Sequence, residues 1–165
     1  MVDMVKIKRT KNNFMPKHYE ESIVVDSSPE ELFAFVDNHQ QFSSHMNKSS
    51  WMMGGGHMET TVDAGNGQKV GSHIRMSGTA FGMKLFLDEV VIQYEPPYKK
   101  TWKTVGSPEL IVIGHYGMGL EIKPQNLGSS LRVFIDYELP AQNAWLGILF
   151  GDIFAKWCVH QMIEG

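Results

Sequence analysis

The side chains able to do chemistry in this 165-residue chain are seven histidines, a single cysteine and eighteen carboxylates. The densest soft-donor stretch is His45, Met46, Met52, Met53, His57 and Met58, and thioether plus imidazole is a donor set that suits Cu(I). No pair in it has a recognised ligand spacing such as two histidines one turn apart on a helix. Methionine is also the common filler of irregular cores, so no metal is expected. Cys158 stands between Trp157 and Val159 with no base at a defined distance, and reads as a small buried hydrophobe rather than a nucleophile. There is no Gly-x-Ser-x-Gly elbow for a Ser-His-Asp triad. The glycines at 54–56, 65, 67 and 71 follow no phosphate-loop spacing, and no cofactor is called for. One acid–base grouping remains, His115 with Asp88 or Arg132, since proton transfer needs imidazole beside a carboxylate. Strand alternation turns His115 away from the expected cavity, so no catalytic residue is assigned.

The elements that must position these groups are legible from pattern. His18–Asp26 is a β-branched run that reads as a strand. Ser28 then offers an N-cap, Pro29 the first helical position, and Glu30 and Glu31 an acidic first turn, so a short helix runs to about Asn38. A second short helix is expected over Gln40–Asn47. Six further strands follow: Trp51–Val62, Lys69–Ala80, Met83–Tyr94, Tyr98–Val105, Leu110–Lys123 and Ser129–Leu139. Turn chemistry separates most of them, including Glu95-Pro96-Pro97 and Gly106-Ser107-Pro108. Gaps this short force antiparallel neighbours. The last segment, Asn143–Ile163, is helical. Trp145, Leu149, Ile153 and Trp157 recur four apart, while Asp152, Lys156 and His160 fall on the other side. The class is α+β, one antiparallel sheet with helices segregated to one face.

Composition bounds the function. Met and aromatics together number 29, more soft, bulky apolar surface than a core of Leu and Ile supplies. The net charge of −3 offers nothing to nucleic acid as a whole. The charge is uneven: residues 1–18 carry Lys6, Lys8, Arg9, Lys11 and Lys17 against Asp3, a net +4 that leaves −7 for the rest. Residues 1–17 are therefore expected to form a basic N-terminal arm, with the folded domain over 18–165. The arm has no secretory-signal core, and Asp152 and Lys156 interrupt the most apolar run before it could span a membrane. The expectation is a cytoplasmic protein without a transmembrane segment, able to make peripheral membrane contact through the arm.

Three stretches carry a family resemblance. Ile23-Val24-Val25-Asp26-Ser27-Ser28-Pro29-Glu30-Glu31-Leu32-Phe33 resembles the opening of the START-like, or SRPBCC, superfamily, where a strand runs into a Pro-Glu-x-Val/Leu-Phe helix. Val90–Trp102, VVIQYEPPYKKTW, is similar to that superfamily's hairpin between its fourth and fifth strands, and Met162–Gly165 to its last helical turn. Trp51 stands several residues from where many relatives carry a Pro-x-Trp motif. The resemblance implies a helix-grip fold: a seven-stranded curved antiparallel sheet, two short helices, and a long C-terminal helix over a cavity. It also implies a small hydrophobic ligand of lipid, polyketide or isoprenoid type. A polyketide cyclase/dehydratase-like enzyme in the same cavity and a non-enzymatic assembly or interaction factor stay open beside it.

Alternation then names the lining. With Glu121 and Lys123 facing water, Val112, Tyr116 and Met118 point inward. With Arg132 and Asp136 outside, Val133 and Tyr137 are inside. On Lys69–Ala80 the inward set includes Ile74 and Met76. On Met83–Tyr94 an outward Lys84 conflicts with an outward Glu89. Taking Glu89 as outward puts Phe86, Asp88, Ile92 and Tyr94 inside. Leu149 and Ile153 close the cavity from the helix.

Overall fold

The structure, a computed structural model, describes residues 16–38, 57–80 and 82–164. The elements run β1 (Lys17–Val25), α1 (Pro29–Val36), β2 (His57–Val62), β3 (His73–Ala80), β4 (Met83–Glu95), β5 (Lys99–Glu109), β6 (Tyr116–Gln125), β7 (Gly128–Tyr137) and α2 (Ala144–Glu164). The strands form one sheet in the order β1-β7-β6-β5-β4-β3-β2, every neighbouring pair antiparallel. This is the α+β helix-grip architecture expected from the sequence. The expected helix over Gln40–Asn47, the arm before Pro16, and Trp51 lie outside the described residues.

Local chemistry sets the boundaries. α1 starts at a capping box: the Ser28 side chain accepts from the Glu31 N–H at 3.3 Å, and the Glu31 carboxylate accepts from the Ser28 N–H at 3.3 Å. It ends at Asp37, whose N–H donates to the Phe33 carbonyl at 2.9 Å. The expected break at Gly106-Ser107-Pro108 is instead a bulge within β5. Phe86 pairs with Glu109 and Asp88 with Val105, so residues 106–108 lie opposite Leu87 alone. Gly106 takes a left-handed φ of +69° there. The strand expected to begin at Leu110 accordingly begins at Tyr116.

The core lies on the inner face of the sheet, where Ile74, Leu87, Val91, Leu120, Ile122, Leu131, Val133 and Ile135 are buried. α2 packs on β1 and β7, and α1 on β6 and β7. The face that α2 presents differs from expectation. Gly147, Gly151, Ala155, Val159 and Met162 are buried. Leu149 and Ile153 remain 58% and 53% exposed. The reason is close approach: a Cβ on Gly147 would lie 2.5 Å from Pro140 Cδ and 2.9 Å from the Val112 carbonyl oxygen. The small side seats against the connection at Val112, against Leu139 and Pro140, and against Tyr137 of β7, which turns the bulky residues outward.

Candidate site on the inner face of the sheet

Glu89 lies at the middle of β4, on the buried side, and is 1% exposed. Along this strand Leu87, Glu89 and Val91 point inward, while Phe86 and Ile92 are 42% and 48% exposed. The Tyr116 hydroxyl, from β6, donates to Glu89 Oε1 at 2.5 Å. The Trp102 indole, from β5, also hydrogen-bonds to the carboxyl. Burial pushes the Glu89 carboxyl up to about 7, against the opposing pull of those two hydrogen bonds and the charge of Lys100. The Tyr116 hydroxyl is raised well above its ordinary value, by burial first and by Glu89 second. Burial pushes the Cys158 thiol of α2 up to about 12, with the Glu89 charge adding to the rise. A carboxyl, a phenol and an indole thus meet on the buried face of the sheet.

A second buried group adjoins it. Lys100 on β5 and Asp37 at the end of α1 are paired, Nζ donating to Oδ1, with side chains 1% and 4% exposed. The Tyr94 hydroxyl donates to the other carboxylate oxygen of Asp37 at 2.7 Å. The ammonium stands 5.7 Å from the centroid of the Tyr94 ring and 5.9 Å from that of Trp102. Burial lowers the Lys100 pKa, opposed by the hydrogen bond it donates to Asp37 and by the charges of Asp37 and Glu89. Burial also raises the Tyr94 hydroxyl, helped by Asp37. A groove of about 450 Å³ lies beside Asp37 and Tyr94, lined also by Phe33, Gln68, Pro96 and Pro97 among others.

The expected lining divides into residues on the inner face and residues off it. Ile74, Met76, Met118, Val133 and Tyr137 are on the buried inner face. Tyr116 and Tyr94 are half-buried and hold the two hydrogen bonds described above. Tyr94 turns inward because a bulge at Ile92 shifts the parity of β4, setting it opposite Lys100. Val112 is half-buried in the connection beneath α2. Phe86, Asp88 and Ile92 face the other way. Asp88 takes hydrogen bonds from His73 Nδ1 at 2.8 Å and Arg75 Nε at 3.2 Å on the outer face. Leu149 and Ile153 point away from the sheet, for the reason given by Gly147. His115 meets Thr104 Oγ1 at 3.1 Å, and Arg132 binds Glu20 and Glu121, so neither joins Asp88.

Glu89, Lys100, Trp102 and Asp37 were not singled out from the sequence. The signal for Glu89 was present in the parity conflict on β4. Keeping Lys84 outside sends Leu85, Leu87, Glu89 and Val91 inward, which is the observed arrangement. The same logic applies to Lys99-Lys100, adjacent residues that alternation must split. Lys99 bonds to Glu121 at 3.0 Å, and Lys100 goes inside. Of the soft-donor stretch, His45, Met46, Met52 and Met53 lie outside the described residues. Among the described residues no helix is long and apolar enough to cross a membrane.

No protein-family model matches the sequence, and no curated protein resembles it closely enough to count as a match. Solved structures share the fold at low identity. Truncated norcoclaurine synthase from Thalictrum flavum superposes with a TM-score of 0.63 at 12% identity, over 90% of this chain and 89% of that one. The di-domain ARO/CYC StfQ from the steffimycin biosynthetic pathway gives 0.65 at 8% identity, over 91% of this chain and 49% of that one. Ara h 8.0201 gives 0.53 at 10% identity, over 91% of this chain and 99% of that one.

Proposed function

We propose that this chain binds a small, mainly apolar molecule of lipid, polyketide or isoprenoid type between the inner face of the sheet and α2. The carboxyl of Glu89 takes the polar end of that molecule. The observation that carries this reading is a fully buried, hydrogen-bonded carboxyl on a largely apolar face, beside one buried ion pair. Small-molecule sites have this composition, with apolar walls for affinity and few polar groups for orientation. Burying the ligand contributes about 25 cal/mol per Å² of apolar surface. Met76 and Met118 on the same face accommodate differences of shape. Tyr116 occupies one oxygen of Glu89, so the protonated acid has its own O–H to donate to a carbonyl or hydroxyl oxygen. Likeness in fold to a norcoclaurine synthase, an ARO/CYC di-domain and Ara h 8.0201 is in keeping with this reading.

A cyclase/dehydratase-like enzyme at the same place is the second reading, favoured by one observation. A carboxyl raised to about 7 both gives and takes a proton at neutral pH, as a general acid–base must. Native mass spectrometry of protein purified without detergent tests the shared premise. A small hydrophobic molecule should travel with the wild type. Protein that stays empty, and that fails to take up 1-anilinonaphthalene-8-sulfonate, would sink both readings. Glu89→Gln separates them once a co-purifying compound is in hand: loss of turnover with retained binding selects the enzyme.

A further inference from the structure

We propose that the outward face of the first three turns of α2, bordered by Lys17 and Lys156, is a docking face for an anionic lipid bilayer. This goes beyond the ligand reading and does not rest on it. Trp145, Ile148, Leu149, Phe150 and Ile153 are between 46% and 61% exposed on this face. Contiguous apolar side chains of this size on a soluble surface mark an interaction site. A helix that is apolar on all sides is ordinarily covered on all sides. Here the small side is seated on β1 and β7, and the bulky side is left outward. The helix does not meet the requirement for crossing a membrane, so the geometry that fits it is lying along the bilayer surface. An indole near its start suits the interfacial layer, where tryptophan is enriched.

Charge selects the occupant. Asp152 is the sole carboxylate in residues 144–156, and the charge of Lys17 compensates it. Lys17 Nζ bonds to its Oδ1 at 2.9 Å, and the Tyr137 hydroxyl donates to the same oxygen. Lys17, His18, Tyr19, Tyr137, Asp152 and Lys156 line a groove of about 380 Å³ beside the helix, with two lysines against one carboxylate. Lys17 also closes the basic leading stretch, residues 1–18, whose sequence carries +4 while the remainder of the chain carries −7. Positive charge near an anionic surface favours adsorption and falls off within a Debye length. A second copy seated on the same face would instead bring two basic edges together.

Co-sedimentation of the full chain with phospholipid vesicles tests the assignment. The two compositions are pure phosphatidylcholine and phosphatidylcholine with about 30% phosphatidylserine, where a basic surface should discriminate. The chain should bind the anionic vesicles at least about tenfold better at low salt and lose that advantage as salt screens it. The double substitution Leu149→Ser/Ile153→Ser should cut binding by about tenfold or more without lowering the melting temperature, since both side chains are exposed. Lys156→Glu should weaken binding to the anionic vesicles only. Equal binding to both compositions, no binding to either, or binding indifferent to the double substitution would overturn the proposal. So would a concentration-dependent dimer that the double variant dissolves, because that result assigns the face to a second copy.

Discussion

The two faces of the sheet hold the same chemical groups and treat them in opposite ways. On the outer face, Glu20 of β1 accepts from Arg132 Nε at 3.0 Å and meets His18 at 2.9 Å, while Arg132 reaches on to Glu121 at 2.9 Å. The hydrogen bonds from Arg132, then His18, hold the Glu20 carboxyl down at about 2. On the inner face, Glu89 also has two hydrogen-bond donors and a lysine charge nearby, yet its carboxyl stands at about 7. The partners are comparable, and access to water differs. Where solvent reaches a carboxylate, the nearby cation and donors decide its charge. Where burial is complete, the cost of desolvation exceeds what two donors and a lysine return. The inner face therefore stores a proton near neutrality, and the outer face does not.

The largest effect is expected at the buried pair. Replacing Lys100 by Met leaves the carboxylate of Asp37 at 4% exposure with the Tyr94 hydroxyl and no lysine opposite it. Breaking one half of a buried pair costs about 3–5 kcal/mol, because the other charge keeps its desolvation penalty. Urea denaturation at pH 7 should show that loss, and Lys100→Met/Asp37→Leu should restore much of it. A loss below about 1 kcal/mol, the range of exposed pairs, would erase the contrast between the faces.

Glu89 offers a sharper test, because its contribution has a sign. Its pKa is raised on folding from 4.5 to about 7, so the folded state holds the proton more tightly than the unfolded chain. Stability from this group is complete below pH 4.5, falls as pH rises, and levels off above 7, the reverse of a salt-bridged carboxylate. Over that window the wild type should lose on the order of 3 kcal/mol relative to Glu89→Gln, which keeps the shape and never ionises. Thermal or urea melts of both proteins at intervals from pH 4 to pH 8.5 give the difference. A difference that does not change with pH would mean that Glu89 titrates as though it were in water.

What could be read from the sequence follows the same division. The start of α1 and the hairpins at Glu95–Pro97 and Gln125–Gly128 were legible because their determinants are local turn and cap chemistry, whereas the pairing of β1 with β7, more than a hundred residues away, was not. The apolar inner residues of β3, β6 and β7 were legible because their outward partners are charged and alternate cleanly. β4 was misread because a carboxylate was assigned to water by default, and the tertiary surroundings of Glu89 override that default. The face of α2 was misread for a related reason. With bulky residues on one side and Gly147, Gly151 and Ala155 on the other, hydrophobicity does not say which side seats, and the closeness of approach does. Asp37 and Lys100 meet across 63 positions of sequence, a distance over which no local pattern operates.

The outer face should yield the smallest effect and, for that reason, sets the scale for the other two. Arg132→Met removes the partner that Glu20 and Glu121 share, leaving them His18 and Lys99, and the cation 4.9 Å from the Phe134 ring centroid. Half-exposed pairs of this kind contribute little, so the melting temperature at pH 7 should fall by no more than about 2–4 °C. The dependence on conditions is as telling as the size. Glu20 has its pKa lowered on folding, so what it adds is present above pH 4.5 and lost as pH falls through about 2. Wild type and variant should therefore converge in acid, and also in high salt, where the outer network is screened and the buried one is not. A drop as large as that of Lys100→Met, unmoved by salt, would show that the outer network is a cooperative unit and that burial alone does not separate the two faces.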